Sequence, residues 1–179
     1  MTSMPPDCTP GPGSVDAVAM RTAMGRFATG VAVVTTTDGD VPHGMTVNSL
    51  TSVSLSPPLV LVCLTTGART TEAVVTAGRF AVNVLSTRQE QLALRFARRG
   101  EDHFSGLPVK TGSHAVPVIP DALVHLECSV HHTLTAGDHD VVLGEVLKVC
   151  SRDGAPLGFL GGRFSDVVDR GHEPVPWFF

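Results

Sequence analysis

The sequence has 179 residues, 42% of them hydrophobic and 17% charged, which is enough apolar material for the core of one globular domain. A formal net charge of −4, with 13 Lys and Arg residues, argues against nucleic acid or an anionic membrane surface as the main partner. The longest apolar run is too short to cross a bilayer and the N-terminus lacks a secretory signal pattern, so we expect a cytoplasmic protein.

The two ends of the chain have unusual compositions. Residues 1–14 are rich in proline and glycine and lack apolar periodicity, which predicts a disordered tail before a single domain of residues 15–179. The aromatic residues at the C-terminal end either pack against the end of the domain or cover an interface. They are Trp177, Phe178 and Phe179.

A helix is predicted at the start of the domain. Ser14 can cap its first turn. Apolar side chains then recur at helical spacing, and we expect them to form one buried stripe before Gly30 ends the helix. These side chains are Met20, Met24 and Phe27.

Strands and one short helix are predicted in the next part of the chain. A β-branched run followed by an Asp-Gly-Asp turn indicates a hairpin, and two prolines then separate it from a buried strand. A short helix over residues 71–77, ended by Gly78, precedes a further strand. The strands are predicted over residues 31–37, 44–50, 59–64 and 79–85.

The second half of the domain begins with a helix. Ser86 and Gln89 form a capping-box pattern, and Leu92 with Phe96 gives the following helix a buried side. Residues 124–134 alternate between apolar even positions and mostly polar odd positions, which predicts a half-buried strand. A Gly-Asp turn then leads into the strand DVVLGEVLKV, so we expect a long antiparallel hairpin.

The order of these elements predicts the fold class. About seven strands joined mainly by hairpins, with two or three helices at irregular intervals, indicate a mainly-β antiparallel barrel with peripheral helices. A βαβ series is excluded by the same pattern, and the sequence contains no dinucleotide-binding Rossmann unit and no internal repeat.

The sequence lacks the motifs that several catalytic chemistries require. No Gly-x-Ser-x-Gly elbow or P-loop occurs, which argues against nucleophilic hydrolysis and P-loop phosphate binding. The cysteines are far apart, which favours reduced thiols over zinc or disulfides. A metal site is disfavoured because strand alternation places His131 and His132 on opposite faces, and we expect His125 and His131 to be exposed. The potential ligands are His125, His131, His132, His139 and Glu127.

The segment GMTVNSLTSVSLSPP is unusually rich in small hydrogen-bonding side chains. Hydroxyls, an amide and backbone N–H groups along one strand edge suit a planar heterocycle that carries nitrogen and oxygen acceptors and a phosphate. Ordinary turn and strand chemistry facing water explains the same composition, so both interpretations stay open. The side chains are Thr46, Asn48, Ser49, Thr51, Ser52, Ser54 and Ser56.

This segment and several others resemble the flavin reductase-like family of FMN-binding split barrels, the small reductase components of two-component monooxygenases. The resemblance covers residues 20–168. The matching blocks are RTAMGRFATGVAVVTT, GMTVNSLTSVSLSPPLVLVCL, GRFAVNVLSTRQEQLALRFA, GDHDVVLGEV and PLGFLGGRF. The resemblance implies a homodimeric split barrel that binds FMN or FAD, reduces it with NADH or NADPH, and supplies the reduced flavin to a partner monooxygenase.

The resemblance also implies which residues contact the flavin. Family members often carry a small or hydroxyl residue where Arg69 stands, so the phosphate contact there could come from Thr70 alone. The implied residues are Thr46, Val47, Asn48, Ser49, Ser52, Val53, Ser54 and Cys63 beside the ring, Arg69 and Thr70 at the phosphate, and Asn83 and Phe96 in the cofactor wall.

The resemblance also implies which residues lie near the nicotinamide. His139 matches a recurrent histidine near the nicotinamide and is the implied catalytic residue, with a turn-capping role as its alternative. Arg163 and Phe164 match a C-terminal stretch that contacts the nucleotide, and Arg163 could instead pair with a surface carboxylate. Hydride passes directly between the two organic cofactors in such an enzyme, which agrees with the missing nucleophile motifs.

Two other functions remain open on the sequence alone. A non-catalytic flavin-binding or electron-transfer barrel would keep the hydroxyl-rich segment without a nicotinamide pocket. An enzyme similar to pyridoxamine-phosphate oxidases, on a related barrel, would need a more basic phosphate pocket than Lys110, Lys148 and the scattered arginines provide.

Overall fold

The computed structural model of the chain describes residues 15–100 and 102–171. Its helices are α1 (Ala17–Met24), α2 (Arg69–Ala77) and α3 (Glu90–Ala97), with a 3-10 turn over Thr87–Gln89. Its strands are β1 (Thr29–Gly30), β2 (Ala32–Asp38), β3 (Val41–Val47), β4 (Thr51–Leu55), β5 (Pro58–Thr65), β6 (Arg79–Val84), β7 (Lys110–Thr111), β8 (Pro117–Val118), β9 (Val124–Ala136), β10 (His139–Ser151), β11 (Leu157–Leu160) and β12 (Arg163–Asp166). The predicted tail 1–14, the Ser14 cap and the aromatic residues Trp177, Phe178 and Phe179 lie outside the described residues.

The strands form one large antiparallel sheet and two small ones. The large sheet has seven strands in the order β3-β2-β6-β9-β10-β5-β4. A three-stranded sheet in the order β1-β11-β12 and the pair β7-β8 accompany it. The predicted mainly-β antiparallel architecture with peripheral helices is therefore confirmed.

The large sheet is rolled, because its two edge strands are consecutive in sequence. β3 and β4 stand at opposite ends of the strand order. In a flat sheet, seven strands at about 4.8 Å spacing would hold these edges roughly 29 Å apart. Only residues 48–50 join the strands, and that stretch of chain reaches about 14 Å at most. The sheet must therefore curl until its two edges approach each other.

Both predicted hairpins are present. Asp38 pairs with Val41, so the turn consists of Gly39 and Asp40 and the second strand starts at Val41, three residues before the predicted boundary. In the second hairpin, Ala136 pairs with His139 across the predicted Gly-Asp turn. Tight two-residue turns fix the register, because each strand begins directly where the other ends.

The helices after β5 begin and end close to the predicted positions. Gly78 ends α2 in the left-handed conformation at φ 65°, as predicted. The predicted capping box is also confirmed: the Ser86 N–H donates to Gln89 Oε1 at 3.1 Å, and the Ser86 hydroxyl contacts the same oxygen. Phe96 of α3 is buried, whereas Leu92 is half-buried.

The predicted buried stripe of α1 is wrong. Met20, Met24 and Phe27 are 53%, 52% and 67% exposed, and within the described part of the chain no residue of α1 is buried. Asp16 caps the helix and Gly25 ends it, well before Gly30. The helix is tied to the rest of the chain at its end, where the Gly161 N–H donates to the Gly25 carbonyl. Its apolar side chains are therefore not covered by any of residues 15–100 and 102–171.

The alternation predicted for β9 holds only in part. Its register against β10 shifts twice, and one shift skips His131, so the strand side facing the core changes along its length. Leu134 is exposed despite its even position, whereas Glu127, at an odd position, is buried. His125 is not an exposed strand residue either, because its Nε2 lies 2.6 Å from the Ile119 carbonyl.

The interior contains two apolar clusters. The first fills the rolled sheet, and the second lies between the sheet, α3 and β11. The first includes Val34, Val62, Leu64, Val74, Phe80, Val82 and Val142, and the second includes Val31, Val33, Leu85, Ala93, Phe96, Ile119 and Leu157. Within residues 15–100 and 102–171, no helix has the length and apolar character needed to span a bilayer.

Candidate functional site

Ser49 lies in the short connection between the edge strands β3 and β4. Its Oγ accepts a hydrogen bond from the Cys63 N–H at 2.9 Å and lies 3.2 Å from the Cys63 carbonyl, to which it donates. The side chain thus makes both bonds that a neighbouring strand would otherwise make with Cys63. Because the position of Ser49 continues the β4-β5 register, in which Thr51 pairs with Leu61, this hydroxyl anchors the connection to β5.

A small cavity of about 140 Å³ lies directly beside this link. Its walls offer hydroxyls, an amide, a thiol and an imidazole, most of them on short side chains. The lining residues are Met45, Thr46, Val47, Asn48, Ser49, Cys63, Thr65 and His139. We call this space the inner cavity.

A larger cavity of about 550 Å³ adjoins the inner cavity. The two share Met45, Thr46 and Thr65 as wall residues, so they form one continuous groove. The other lining residues of this outer cavity are Gly44, Thr66, Gly67, Ala68, Arg69, Thr70, Phe96, Ala97, Arg98, Arg99, Gly100 and His103. Arg69 and Arg99 bring positive charge to this end of the groove, which suits an anion.

The N-terminus of α2 opens into the outer cavity. Its cap residue, Ala68, has no side-chain oxygen to accept from the first turn, and no side-chain cap bond is formed. Thr71 holds the helix start in place by donating from Oγ1 to the Thr65 carbonyl at 2.7 Å. The uncapped N–H groups of the first turn and the helix dipole add positive potential beside Arg69.

The opposite wall of the groove is held by contacts between β3 and α3. Thr46 donates from Oγ1 to the Ala93 carbonyl at 2.7 Å, so part of its hydrogen-bonding capacity is already used. Gly44 lies against Phe96, where a Cβ would stand 2.7 Å from the ring. The missing side chain at Gly44 therefore lets α3 pack closely on the strand that lines the groove.

His139 lies at the inner end of the groove, at the start of β10. Its Nδ1 is 2.8 Å from Oδ1 of Asp138, and its partner in the sheet is Thr65. The hydrogen bond and charge of the His139 side chain lower the pKa of Asp138 below its ordinary value. The turn is tied to the chain after β5, because the Thr66 N–H donates to the Asp138 carbonyl at 3.1 Å.

The structure brings many of the sequence-predicted residues together. The groove is lined by Thr46, Val47, Asn48, Ser49, Cys63, Arg69, Thr70, Phe96 and His139. The remaining predicted residues do not line it in the single chain. Ser52, Val53 and Ser54 lie on the edge strand β4, and Arg163 and Phe164 lie on β12 in the small sheet. Phe164 packs there against Phe159 with 5.8 Å between ring centroids.

Asn83 requires a correction, because its position leaves no surface for a cofactor. It is 0% exposed. Its Nδ2 donates to the Val33 carbonyl and to Thr35 Oγ1, both at 3.0 Å, and its Oδ1 accepts from the Ile119 N–H at 2.9 Å. Asn83 therefore joins β2, β6 and the segment before β9 inside the domain.

Sequence reasoning missed the basic wall of the outer cavity. The sequence patterns predicted no site role for Arg98, Arg99 or His103, which all line this cavity. These residues follow α3 and turn back toward the start of α2, a proximity that sequence spacing does not reveal. Two adjacent arginines and a glycine after a helix were the available signal, since such residues also form anion sites.

The described residues contain no group of three or more His, Cys, Asp or Glu side chains able to hold a metal ion. The groove offers hydroxyls, an amide, a thiol, two imidazoles and guanidinium groups. Such a lining has the donors, acceptors and positive charge that an anionic heterocyclic ligand requires.

A family model and several known proteins match the sequence of this chain. A family model, the flavin reductase like domain, matches residues 24–167. The FMN reductase (NADH) SmoA of Agrobacterium fabrum is 45% identical over 86% of this chain and 87% of its own length. The reductase subunit HsaB of a flavin-dependent monooxygenase from Rhodococcus jostii is 35% identical over 92% of this chain and 85% of its own.

A solved structure agrees with these sequence relatives. The NADH:FAD oxidoreductase SgcE6 of Streptomyces globisporus, in complex with NAD and FAD fragments, superposes with a TM-score of 0.83 at 40% identity. The match covers 88% of this chain and 96% of that one. Fold, sequence and family model agree, and the chain belongs to the flavin reductase like domain family.

Proposed function

We propose that this chain is an NADH-dependent flavin reductase that transfers hydride from NADH to FMN or FAD. The observation that carries the proposal is the continuous groove, with short polar side chains at one end and an arginine-rich wall at the other. The two ends of a flavin nucleotide match the two ends of the groove: a heterocycle with nitrogen and oxygen acceptors is joined to a negatively charged phosphate. The relatives that are named as NADH-dependent reductases support the choice of NADH.

The residues present fit such a ligand at both ends. At the inner cavity, Asn48 and Ser49 offer an amide, a hydroxyl and backbone N–H groups for the ring edge. At the outer cavity, Arg69 and the uncapped start of α2 fit the phosphate, with Thr70 beside them. These assignments use the residues that the groove brings together, and they leave Asn83 out.

Hydride transfer from nicotinamide to flavin requires that the two rings be aligned, and it requires no protein nucleophile. A bound flavin supplies the hydride acceptor, while the protein holds two rings in contact. His139 stands at the open inner end with Nδ1 committed to Asp138, so its Nε2 is directed to other partners. In our proposal, Nε2 hydrogen-bonds the nicotinamide carboxamide and orients that ring over the groove.

A steady-state assay tests the proposal directly. The purified chain is mixed with NADH or NADPH and with FMN or FAD, and loss of reduced nicotinamide is followed by absorbance. We expect oxidation with NADH and at least one flavin. Absence of turnover in all four mixtures refutes the reductase function, and tight flavin binding in that case supports the non-catalytic flavin-binding alternative.

We further propose that the reduced flavin is released to a separate monooxygenase. The relative HsaB is named as the reductase subunit of a flavin-dependent monooxygenase, and the open groove offers an exit path. Under anaerobic conditions with excess NADH and flavin, the concentration of reduced flavin should exceed that of the protein many times. Reduction that stops at one flavin per chain would show a retained cofactor and contradict release.

A homodimer is proposed on the apolar face of α1. Met20, Met24 and Phe27 recur at helical spacing and are exposed on and just after this helix, and a second copy would cover them. Sedimentation should give twice the chain mass for the wild type. Met24→Glu should shift the equilibrium toward the monomer, whereas the control Val75→Glu, at an exposed site on α2, should not.

We propose a cytoplasmic location for the protein. NADH, its proposed electron donor, is a cytoplasmic metabolite, and the cysteines Cys63, Cys128 and Cys150 are free thiols. Fractionation of cells that produce the chain would test this location.

A further inference from the structure

The groove continues beyond the arginine-rich wall into a third cavity. This space of about 190 Å³ shares Gly44, Arg69, Thr70, Gly100 and His103 with the outer cavity. It is completed by Val41, Pro42, His43, Asp102 and Phe104. The inner, outer and third cavities therefore follow one another along one surface, and Arg69 stands where the second meets the third.

The lining of the third cavity differs from that of the other two. Three of its ten lining residues carry aromatic rings: His43 comes from β3, while His103 and Phe104 come from the segment after α3. Phe96 contacts both ring residues of that segment and holds them in place: its centroid is 5.3 Å from His103 in a tilted arrangement and 5.0 Å from Phe104 in an edge-on one. Such rings are suited to stacking on a flat base.

A carboxylate also faces this space. Asp102 Oδ1 accepts a hydrogen bond from the Phe104 N–H at 3.0 Å, which leaves the other oxygen as an acceptor. An amino group or ribose hydroxyls are suitable donors for that oxygen. A phosphate is not a suitable partner, because the Asp102 carboxylate would repel it. The third cavity therefore fits the base and sugar of a nucleoside instead of another phosphate.

We propose that the third cavity binds the adenosine part of FAD, and that the chain consequently prefers FAD to FMN. The inference rests on the proposed flavin reductase function and identifies which flavin the same groove accepts. Arg69, which lines both the outer and the third cavity, lies where the pyrophosphate of FAD would link its two halves. FMN ends at its single phosphate and leaves the third cavity without a ligand.

The test compares the two flavins by calorimetric binding and by NADH oxidation. We expect the wild type to bind FAD at least about fivefold more tightly than FMN, the gain expected from one stacked base. His43→Ala should weaken FAD binding by a similar factor and leave FMN binding unchanged. His43→Phe keeps a ring and should retain the FAD preference.

His131→Ala is the matched control, because His131 is an exposed histidine of β9 that lines none of the three cavities. It should change the binding of neither flavin. Equal affinity of the wild type for FAD and FMN would overturn the inference, as would equal weakening of both by His43→Ala. If NADH oxidation is absent but binding still prefers FAD in a His43-dependent manner, the third-cavity assignment stands and the reductase function fails.

Discussion

His139 donates a hydrogen bond from Nδ1 to Oδ1 of Asp138 across 2.8 Å, at the turn that joins β9 to β10. The direction follows from the partners, because an ionised carboxylate can only accept. The same bond lowers the pKa of Asp138, so this carboxyl stays ionised to a lower pH than an ordinary Asp. The pair therefore leaves Nε2 as the His139 nitrogen that is available to other partners.

Replacing Asp138 by Asn should disturb that orientation without altering flavin binding. The amide is neutral and can present its NH₂ group to the ring, so Nδ1 loses its fixed acceptor. We expect kcat/KM for NADH to fall about threefold to tenfold, as for one lost charge-assisted hydrogen bond, with an unchanged flavin Kd. Asp40→Asn in the β2-β3 turn is the control. If flavin affinity falls to the same extent as kcat/KM for NADH, Asp138 does not act by orienting His139.

Removing the imidazole itself should have a larger effect on the nicotinamide. For His139→Ala we expect kcat/KM for NADH to fall about tenfold or more, while calorimetry shows flavin binding within about twofold of the wild type. His132→Ala is a suitable control, because His132 is exposed on the same hairpin and does not line the groove. Unchanged steady-state kinetics in His139→Ala would remove this residue from the mechanism.

Arg69 should contribute to affinity through the phosphate alone. Arg69→Ala is expected to weaken FMN binding about tenfold and to leave riboflavin, which lacks the phosphate, nearly unaffected. Added salt should weaken FMN binding by the wild type more than by the variant. Arg79→Ala, which removes an exposed arginine of β6 that lines neither cavity of the groove, serves as control. Equal losses for FMN and riboflavin would contradict a phosphate contact.

Asn83 should affect stability instead of flavin binding. Asn83→Ala removes the hydrogen bonds to Val33, Thr35 and Ile119 in a fully buried place, and we expect a loss of about 2 to 4 kcal/mol in the free energy of unfolding. Urea denaturation measures it. The exposed Asn48 provides the opposite case: Asn48→Ala should change stability by about 0.5 kcal/mol at most and weaken flavin binding.

Glu127 should make stability depend on pH. Burial alone would raise its pKa, but hydrogen bonds from His114, Ser113 and Lys148 outweigh burial and hold the pKa below 4.5. Because the pKa is lower in the folded state than in the unfolded state, the ionised carboxylate stabilises the fold above about pH 4.5, and this contribution is lost as the pH falls through the folded value.

The matching variant is Glu127→Gln, which keeps the shape of the side chain without its charge. We expect it to be about 1 to 3 kcal/mol less stable than the wild type at pH 7, with the difference shrinking below pH 4.5. Denaturation curves at several pH values, with Glu90→Gln as an exposed control, measure this. A difference that is constant with pH would show that the charge of Glu127 does not contribute.

Local patterns predicted the elements well, because turns and caps depend on neighbouring residues. The Gly39 turn, the Gly78 helix end and the Ser86 capping box were all visible in the sequence. Burial was harder to predict. The apolar stripe of α1 is exposed, since spacing shows that a helix has an apolar side and does not show what covers it.

Some residues of the candidate site could be predicted from local sequence, and others could not. Thr46, Asn48 and Ser49 were found because one segment carries them, and the resemblance to a family added His139 and Arg69. Arg98, Arg99 and His103 were missed, because they reach the groove only through the packing of α3 on β3. Asn83 was misassigned for the opposite reason, as a polar residue can serve the interior as well as a ligand.

A single hydroxyl ties the connection between β3 and β4 to β5, and this has a mechanical consequence. Ser49 bonds Cys63 through both its donor and its acceptor, while the segment that carries it forms a wall of the inner cavity. Movement of this segment away from β5 must stretch these two bonds and would widen the inner cavity. The width of that cavity and the anchoring of the strand connection are therefore one structural variable, set by a side chain of two heavy atoms.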